Sequence, residues 1–75
     1  MSVSITLIEG PDNVGYAYLK GTHDSNPAIC EVATISRAAM ANGSVNVVTV
    51  RDSLVAKLEA QFANYQASQA LLQQL

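Results

Sequence analysis

The chain of 75 residues has few of the groups that carry chemistry or that stabilise a very small domain. Cys30 is its single cysteine and His23 its single histidine. One cysteine excludes an internal disulfide, and one Cys with one His does not complete a four-ligand zinc site. A domain of this size buries little more than half of its unfolded surface. We therefore expect no metal and no cofactor, and we expect association with other chains to supplement the core.

Charged residues are also scarce. The chain has four Lys and Arg against six Asp and Glu, which gives a net charge of −2. A protein that binds nucleic acid needs clustered cations to displace counterions from phosphates, and the four cations here are scattered: Lys20, Arg37, Arg51 and Lys57. We expect no nucleic-acid partner. With 49% hydrophobic and 13% charged residues, the composition is apolar for a small soluble domain.

Long apolar runs are missing as well. The sequence contains no stretch of about 18 apolar residues, the length that indicates a membrane span. It also shows no charged segment followed by an apolar one of the kind found in secretory leaders. A lone thiol without a leader fits a reducing compartment. These features predict a cytoplasmic protein with no membrane contact.

Alternation of apolar and polar residues predicts strands in the first part of the chain. Residues 2–9 alternate with a period of two, and residues 15–20 follow as a second strand with Tyr16 and Tyr18 on one face. Residues 10–13 (GPDN) between them are typical of a turn. The short connection predicts an antiparallel hairpin.

The middle of the chain allows two interpretations. Residues 21–26 (GTHDSN) are expected to form a polar loop that ends in a helix start signal, Ser25-Asn26-Pro27. Apolar residues at helical spacing then predict a helix over residues 27–41, ended by Asn42-Gly43. The β-branched residues within this segment leave a strand over residues 28–35 as the alternative.

The second part predicts one more strand and a long helix. Residues 44–51 (SVNVVTVR) are the most β-branched stretch and predict a strand covered on both faces. Asp52-Ser53 is expected to cap the final helix, with Thr49 and Asp52 as a competing capping box. The resulting order is β-β-α-β-α. We expect a single α+β domain over residues 1–75, with an antiparallel sheet covered by the long C-terminal helix.

The final helix has two distinct apolar surfaces. The surface expected to cover the sheet contains Leu54, Val55, Leu58, Phe62, Tyr65 and Leu72. The opposite surface carries alanines at spacings of four and three residues, which is the rhythm of a coiled-coil seam. Residues 60–75 contain no charge, so we predict a self-interface; its candidates are Ala56, Ala60, Ala63, Ala67, Ala70, Leu71 and Leu75. The alternative is a solvated surface, because alanine is the strongest helix former.

No motif assigns a catalytic residue. His23-Asp24 has the composition of a base with an orienting carboxylate, but no nucleophile pattern accompanies it. Cys30 at a predicted helix start has the acidic neighbour Glu31, which opposes activation of a thiol. The glycines of residues 10–15 lack the Lys of a phosphate-binding loop. We therefore expect no enzymatic activity.

Two functional hypotheses from different classes follow. The first is a non-catalytic binding protein, a small homo-oligomer that acts as an adaptor or inhibitor of another protein. In it the final helix supplies the self-contact, and residues 10–13 and 21–26 engage the target. The second is an oligomer that binds or sequesters a small, nucleotide-like ligand between subunits. Its candidate pocket residues are Tyr16, Tyr18, His23 and Arg51.

Overall fold

The structure, a computed structural model, describes residues 2–8 and 14–75. The elements are β1 (Val3–Ile8), β2 (Tyr16–His23), β3 (Asn26–Ser36), α1 (Arg37–Ala41) and α2 (Val47–Leu72). The strands form an antiparallel sheet in the order β1-β2-β3, and α2 packs on one of its faces. The predicted α+β class and the long helix over an antiparallel sheet are confirmed. The predicted order of elements is wrong, because β-β-β-α-α replaces β-β-α-β-α.

The first hairpin is confirmed, and its second strand is longer than predicted. Val3 lies opposite His23 and Ile8 opposite Tyr18 in the β1–β2 ladder. β2 therefore runs through three of the residues that were expected to form the loop 21–26, and only Asp24 and Ser25 form a turn. Thr22 and His23 continue the alternation of inward and outward side chains. The predicted turn at residues 10–13 lies outside the described residues.

β3 replaces most of the predicted helix over residues 27–41, and the strand alternative for residues 28–35 is confirmed. Ile35 lies opposite Ala17 in the β2–β3 ladder. The β-branched side chains prevail over the helical spacing because a pleated, half-buried surface suits them better than a helix does. Pro27 is tolerated because β3 lies at the edge of the sheet, where a missing N–H removes no ladder bond.

α1 is a single short helix between the sheet and α2. Ser36 is its N-cap, and the Ser36 hydroxyl accepts a hydrogen bond from the backbone N–H of Ala39 at 3.3 Å. The predicted stop at Asn42-Gly43 is confirmed, since Gly43 has a φ of 82°, in the left-handed region that favours glycine. The chain turns back at this point and begins α2 over the sheet.

The strand predicted over residues 44–51 is wrong, and so is the helix cap predicted at residues 52–53. α2 begins at Val47, and the side chain of its N-cap Asn46 accepts from the N–H groups of Val48 and Thr49 at 2.9 and 3.4 Å. Thr49 and Asp52 lie inside the helix and form no capping box. A β-branched residue costs a helix only about 0.5 kcal/mol relative to alanine, whereas burying each leucine that follows contributes about 1.5–3 kcal/mol.

The core lies between α2 and the sheet. Its buried residues are Val3, Ala17, Leu19, Ile35, Leu54 and Leu58. Leu58 has no exposed surface at all and reaches over Gly21, the residue of β2 that pairs with Ile5 of β1. A Cβ built on Gly21 falls in severe overlap with the Leu58 side chain and lies 3.1 Å from Ile5 Cδ1. Glycine at position 21 therefore lets the helix approach the sheet closely.

Substitution of Gly21 by alanine should destabilise the fold. The added methyl overlaps the end of the fully buried Leu58 side chain and also meets Ile5 and Leu54, and overpacking of this kind costs about 1–3 kcal/mol. Gly15→Ala is the matched control, because a Cβ there meets nothing within 4 Å. Urea unfolding should show a lower midpoint for the first variant only. Equal midpoints for Gly21→Ala and the native chain would contradict the close packing.

Removal of the Asn46 cap should also lower stability. Asn46→Ala leaves the first N–H groups of α2 without their side-chain acceptor, which costs about 1 kcal/mol. Ser53→Ala provides the comparison, because Ser53 is exposed inside the helix and alanine is a better helix former. Thermal unfolding should rank Asn46→Ala below the native chain and Ser53→Ala level with it or above. The reverse ranking would place the helix start at residue 53.

Candidate functional site

α2 is longer than the sheet that it covers. At about 1.5 Å per residue its 26 residues span roughly 39 Å, and the molecule measures 51 × 23 × 20 Å. Phe62 is the last partly buried residue of the helix, and every residue of the segment 63–75 is exposed. We call residues 63–75 the distal segment. It projects past the end of the sheet where β2 turns into β3.

The distal segment continues the surface of α2 that covers the sheet. Tyr65 and Leu72 follow the buried Leu58 at intervals of seven residues, and they therefore lie on the same side of the helix. At about 100° per residue, Leu71 lies about 120° from Tyr65 and only about 40° from Ala67, on the other side of the helix, and Leu75 follows the last helical residue, Leu72. All four of these large side chains are exposed: Tyr65 by 42%, Leu71 by 65%, Leu72 by 57% and Leu75 by 101%. We call Tyr65 and Leu72 the apolar arc; in contrast to Leu58, which the sheet buries, both are exposed.

The opposite surface is the alanine stripe of the predicted self-interface. All five alanines are exposed: Ala56, Ala60, Ala63, Ala67 and Ala70. Burial of a leucine side chain stabilises by about 1.5–3 kcal/mol, and burial of an alanine methyl by less than 1 kcal/mol. Of the other predicted interface residues, Leu71 lies beside the alanine stripe, about 40° from Ala67, and Leu75 follows the end of the helix. For each residue buried, the apolar arc therefore contributes more to an interface than the alanine stripe does.

His23 is buried and packs against α2. It is 2% exposed, and its ring stacks on Phe62 with a centroid distance of 3.9 Å and an interplanar angle of 19°. Its Nδ1 accepts a hydrogen bond from the backbone N–H of Ser25 at 3.1 Å. The carboxylate of Asp24 instead accepts from the hydroxyl of Ser4. The ring is therefore oriented by the backbone of the β2–β3 turn and not by a neighbouring carboxylate.

The four candidate ligand residues do not converge within one chain. Tyr16 and Tyr18 alternate along β2 with the inward residues that α2 covers, and they lie on the other face of the sheet. His23 lies beneath α2, and Arg51 forms an exposed ion pair with Asp52 at 3.0 Å on that helix. A pocket that assembles them between subunits stays a prediction.

The second face of the sheet is exposed over much of its area. The strand register places a mixed set of side chains there: Ile8, Tyr16, Tyr18, Lys20, Cys30, Val32 and Thr34. Ile8 is 42% exposed, Tyr16 51% and Val32 54%. The Cys30 thiol is free and exposed on this face, so the predicted environment of a helix start does not exist for it. We call this surface the open face.

A groove runs between β3 and α2. Its volume is about 300 Å³, and it is lined by Glu31, Val32, Ala33, Thr49, Val50, Ser53, Leu54 and Lys57. Glu31 is held at its rim by two side chains of α2: Gln61 Nε2 donates to Glu31 Oε1 at 2.9 Å, and Lys57 Nζ lies 3.6 Å from the same oxygen. The sequence did not indicate this groove, because its two sides are far apart along the chain.

The described residues offer little for catalysis or metal binding. Within residues 2–8 and 14–75, no group of three or more His, Cys, Asp or Glu side chains is placed to hold a metal ion. In the same part of the chain, no helix combines the length and the apolar character that crossing a bilayer requires. The features that remain are surfaces: the distal segment, the open face and the groove.

Comparison with known proteins does not assign a function to these surfaces. No protein-family model matches the chain, and neither the curated proteins nor the solved structures contain a match. The function is therefore inferred from the geometry and chemistry of the chain itself.

The contact between Glu31 and α2 gives a pH-dependent prediction. The hydrogen bond from Gln61, and after it the charge of Lys57, lower the pKa of Glu31 below its ordinary value. A carboxyl group with a lowered pKa in the folded state stabilises the fold above its unfolded pKa, and this contribution is lost as the pH falls through the folded value.

Gln61→Ala should raise the pKa of Glu31 in an NMR titration. Gln66→Ala, the same change in the distal segment, should leave that pKa in place; an unmoved pKa in Gln61→Ala would contradict the contact.

Proposed function

We propose that this chain is a non-catalytic binding protein that works as a small homo-oligomer, as an adaptor or inhibitor of another protein. The distal segment supplies the contact between copies. The open face and the groove beside β3 supply the contact with the target. Both target surfaces belong to the sheet region, so they are separate from the proposed interface between copies.

One observation carries the proposal: α2 continues beyond its sheet as an exposed apolar helix. A surface helix of a lone small domain normally carries charged residues on its solvated side. Residues 60–75 have none, and in the apolar arc Tyr65 is 42% and Leu72 57% exposed. Contiguous exposed apolar surface of this kind is typical of protein interaction sites.

The chemistry of the remaining surfaces supports a protein target over a substrate. The open face combines Tyr16 and Val32 with hydroxyl side chains, and amphipathic aromatic residues are enriched where proteins meet. The buried ring of His23 is occupied by its contacts with Ser25 and Phe62. We place the protein in the cytoplasm, because the exposed thiol of Cys30 remains free in a reducing compartment.

The mass of the native chain in solution tests the oligomer directly. Size-exclusion chromatography with light scattering at micromolar concentrations should give at least twice the chain mass of 7.9 kDa. A monomer across the whole concentration range would contradict the proposal.

For the target, cross-linking in the source cells should recover a second protein in stoichiometric amount, and Val32→Glu on the open face should abolish its recovery. Recovery of copies of this chain alone would contradict the adaptor role.

A further inference from the structure

We propose that two copies of the chain pair through their distal segments in antiparallel orientation, with the apolar arcs in contact and the alanine stripes facing outward. This inference rests on the proposed homo-oligomer and adds the surface, the orientation and the stoichiometry. It assigns the contact to the side of α2 that the sequence alone allotted to covering the sheet.

The dimensions of the chain indicate that a large surface remains to be covered. The radius of gyration is 15.3 Å, whereas a compact domain of this length has about 11 Å. The accessible surface is 5093 Å², and a compact monomer of 7.9 kDa exposes about 4,400 Å². The excess of about 700 Å² approaches the roughly 800 Å² that each partner buries in an interface of standard size. The area therefore fits one protein interface for each chain.

The absence of charge favours a second copy as the occupant. A charged partner surface placed on residues 60–75 would lose its hydration and find no ion of opposite sign there. The distal segment of another copy is equally neutral, so neither side buries an unpaired charge. The Tyr65 hydroxyl accepts a hydrogen bond from Gln69 Nε2 of the same chain at 3.3 Å. Two such surfaces therefore come together without the cost of burying a charge.

The position of the sheet determines the orientation. The apolar arc lies on the side of α2 that carries the sheet, so a second helix on the arc occupies the space just beyond the end of the sheet. In a parallel pair, both sheets would have to lie in the same space between the two helices. In an antiparallel pair, each distal segment fills the space beyond the sheet of the other copy. The arrangement is two-fold symmetric and closed, which limits the assembly to a dimer.

The register follows from the same symmetry. With the two-fold axis between Ser68 and Gln69, Tyr65 of one copy lies opposite Leu72 of the other. Tyr65 and Leu72 of a single chain are separated by about 10.5 Å along the helix. Tyr65 of one copy is therefore close to Leu72 of the second copy and distant from Tyr65 of that copy. The same holds for Leu72, which is distant from Leu72 of the second copy.

Two matched double variants test the surface. Tyr65→Glu with Leu72→Glu places two carboxylates inside the proposed interface, and the dissociation constant of the dimer should rise at least about 100-fold, because the charges lose their hydration without partners. Ala63→Glu with Ala67→Glu adds the same charge to the outer side of the same segment and should leave the dimer intact. All four positions are exposed in the single chain, so both variants should keep the native circular dichroism. Light scattering measures the mass of each.

The outcomes separate this inference from the function on which it rests. A dimer that survives the Tyr65 and Leu72 charges, or that dissociates with the alanine charges alone, overturns the inference and leaves the homo-oligomer standing. A native chain that is monomeric overturns both.

Cross-linking tests the orientation and does not depend on the glutamate variants. In a Cys30→Ser background, a chain with Tyr65→Cys mixed with a chain with Leu72→Cys should form a mixed disulfide. Each variant alone should form none, because Cα atoms more than about 7 Å apart cannot be bridged. Disulfides between identical chains of either variant, with no mixed disulfide between the two variants, would indicate parallel helices and overturn the proposal.

Discussion

The fold depends on the close approach of α2 to the central strand at Gly21. Leu58 occupies the space above this glycine, and Leu54 lies beside it, so the helix is seated on β2 at the centre of the sheet. Burial of two leucines contributes about 3–6 kcal/mol, a large part of the stability of so small a domain. The same contact fixes the direction of α2, and with it the point at which the helix leaves the sheet.

Elements whose local and tertiary preferences agree could be predicted from the sequence. The β1–β2 hairpin is of this kind, because the alternation with period two in its strands matches the burial that the fold provides. The final helix could be predicted because it is rich in strong helix formers such as alanine, leucine and glutamine. Residues 27–36 and 44–51 were misassigned for one reason: each contains β-branched residues at a spacing that suits either state. Residues 27–36 form a strand because they pair with β2. The Asn46 cap, followed by the leucines that pack on the sheet, decided the second segment in favour of a helix.

The candidate surfaces were predictable only in part. The missing charge in residues 60–75 predicted a self-interface, with Leu71 and Leu75 among its candidates, and this stays a prediction; the structure shows that residues 63–75 are exposed in the single chain. Tyr65 and Leu72 were assigned to the sheet, because the sequence does not reveal where the sheet ends beneath the helix. The groove between β3 and α2 and the inward position of His23 depend on the register of the strands. This register could not be predicted, because residues 21–26 were expected to form a loop.

The central claim is that the distal segment of α2 is covered by a second copy of the chain. Hydrogen exchange of the backbone amides in residues 63–72, measured over a range of chain concentrations, tests it most directly, because an uncovered helix end opens locally at little cost. The account predicts slow exchange that becomes slower as the concentration rises, while the amides of β2 stay unchanged. Fast exchange in this segment at every concentration would contradict it.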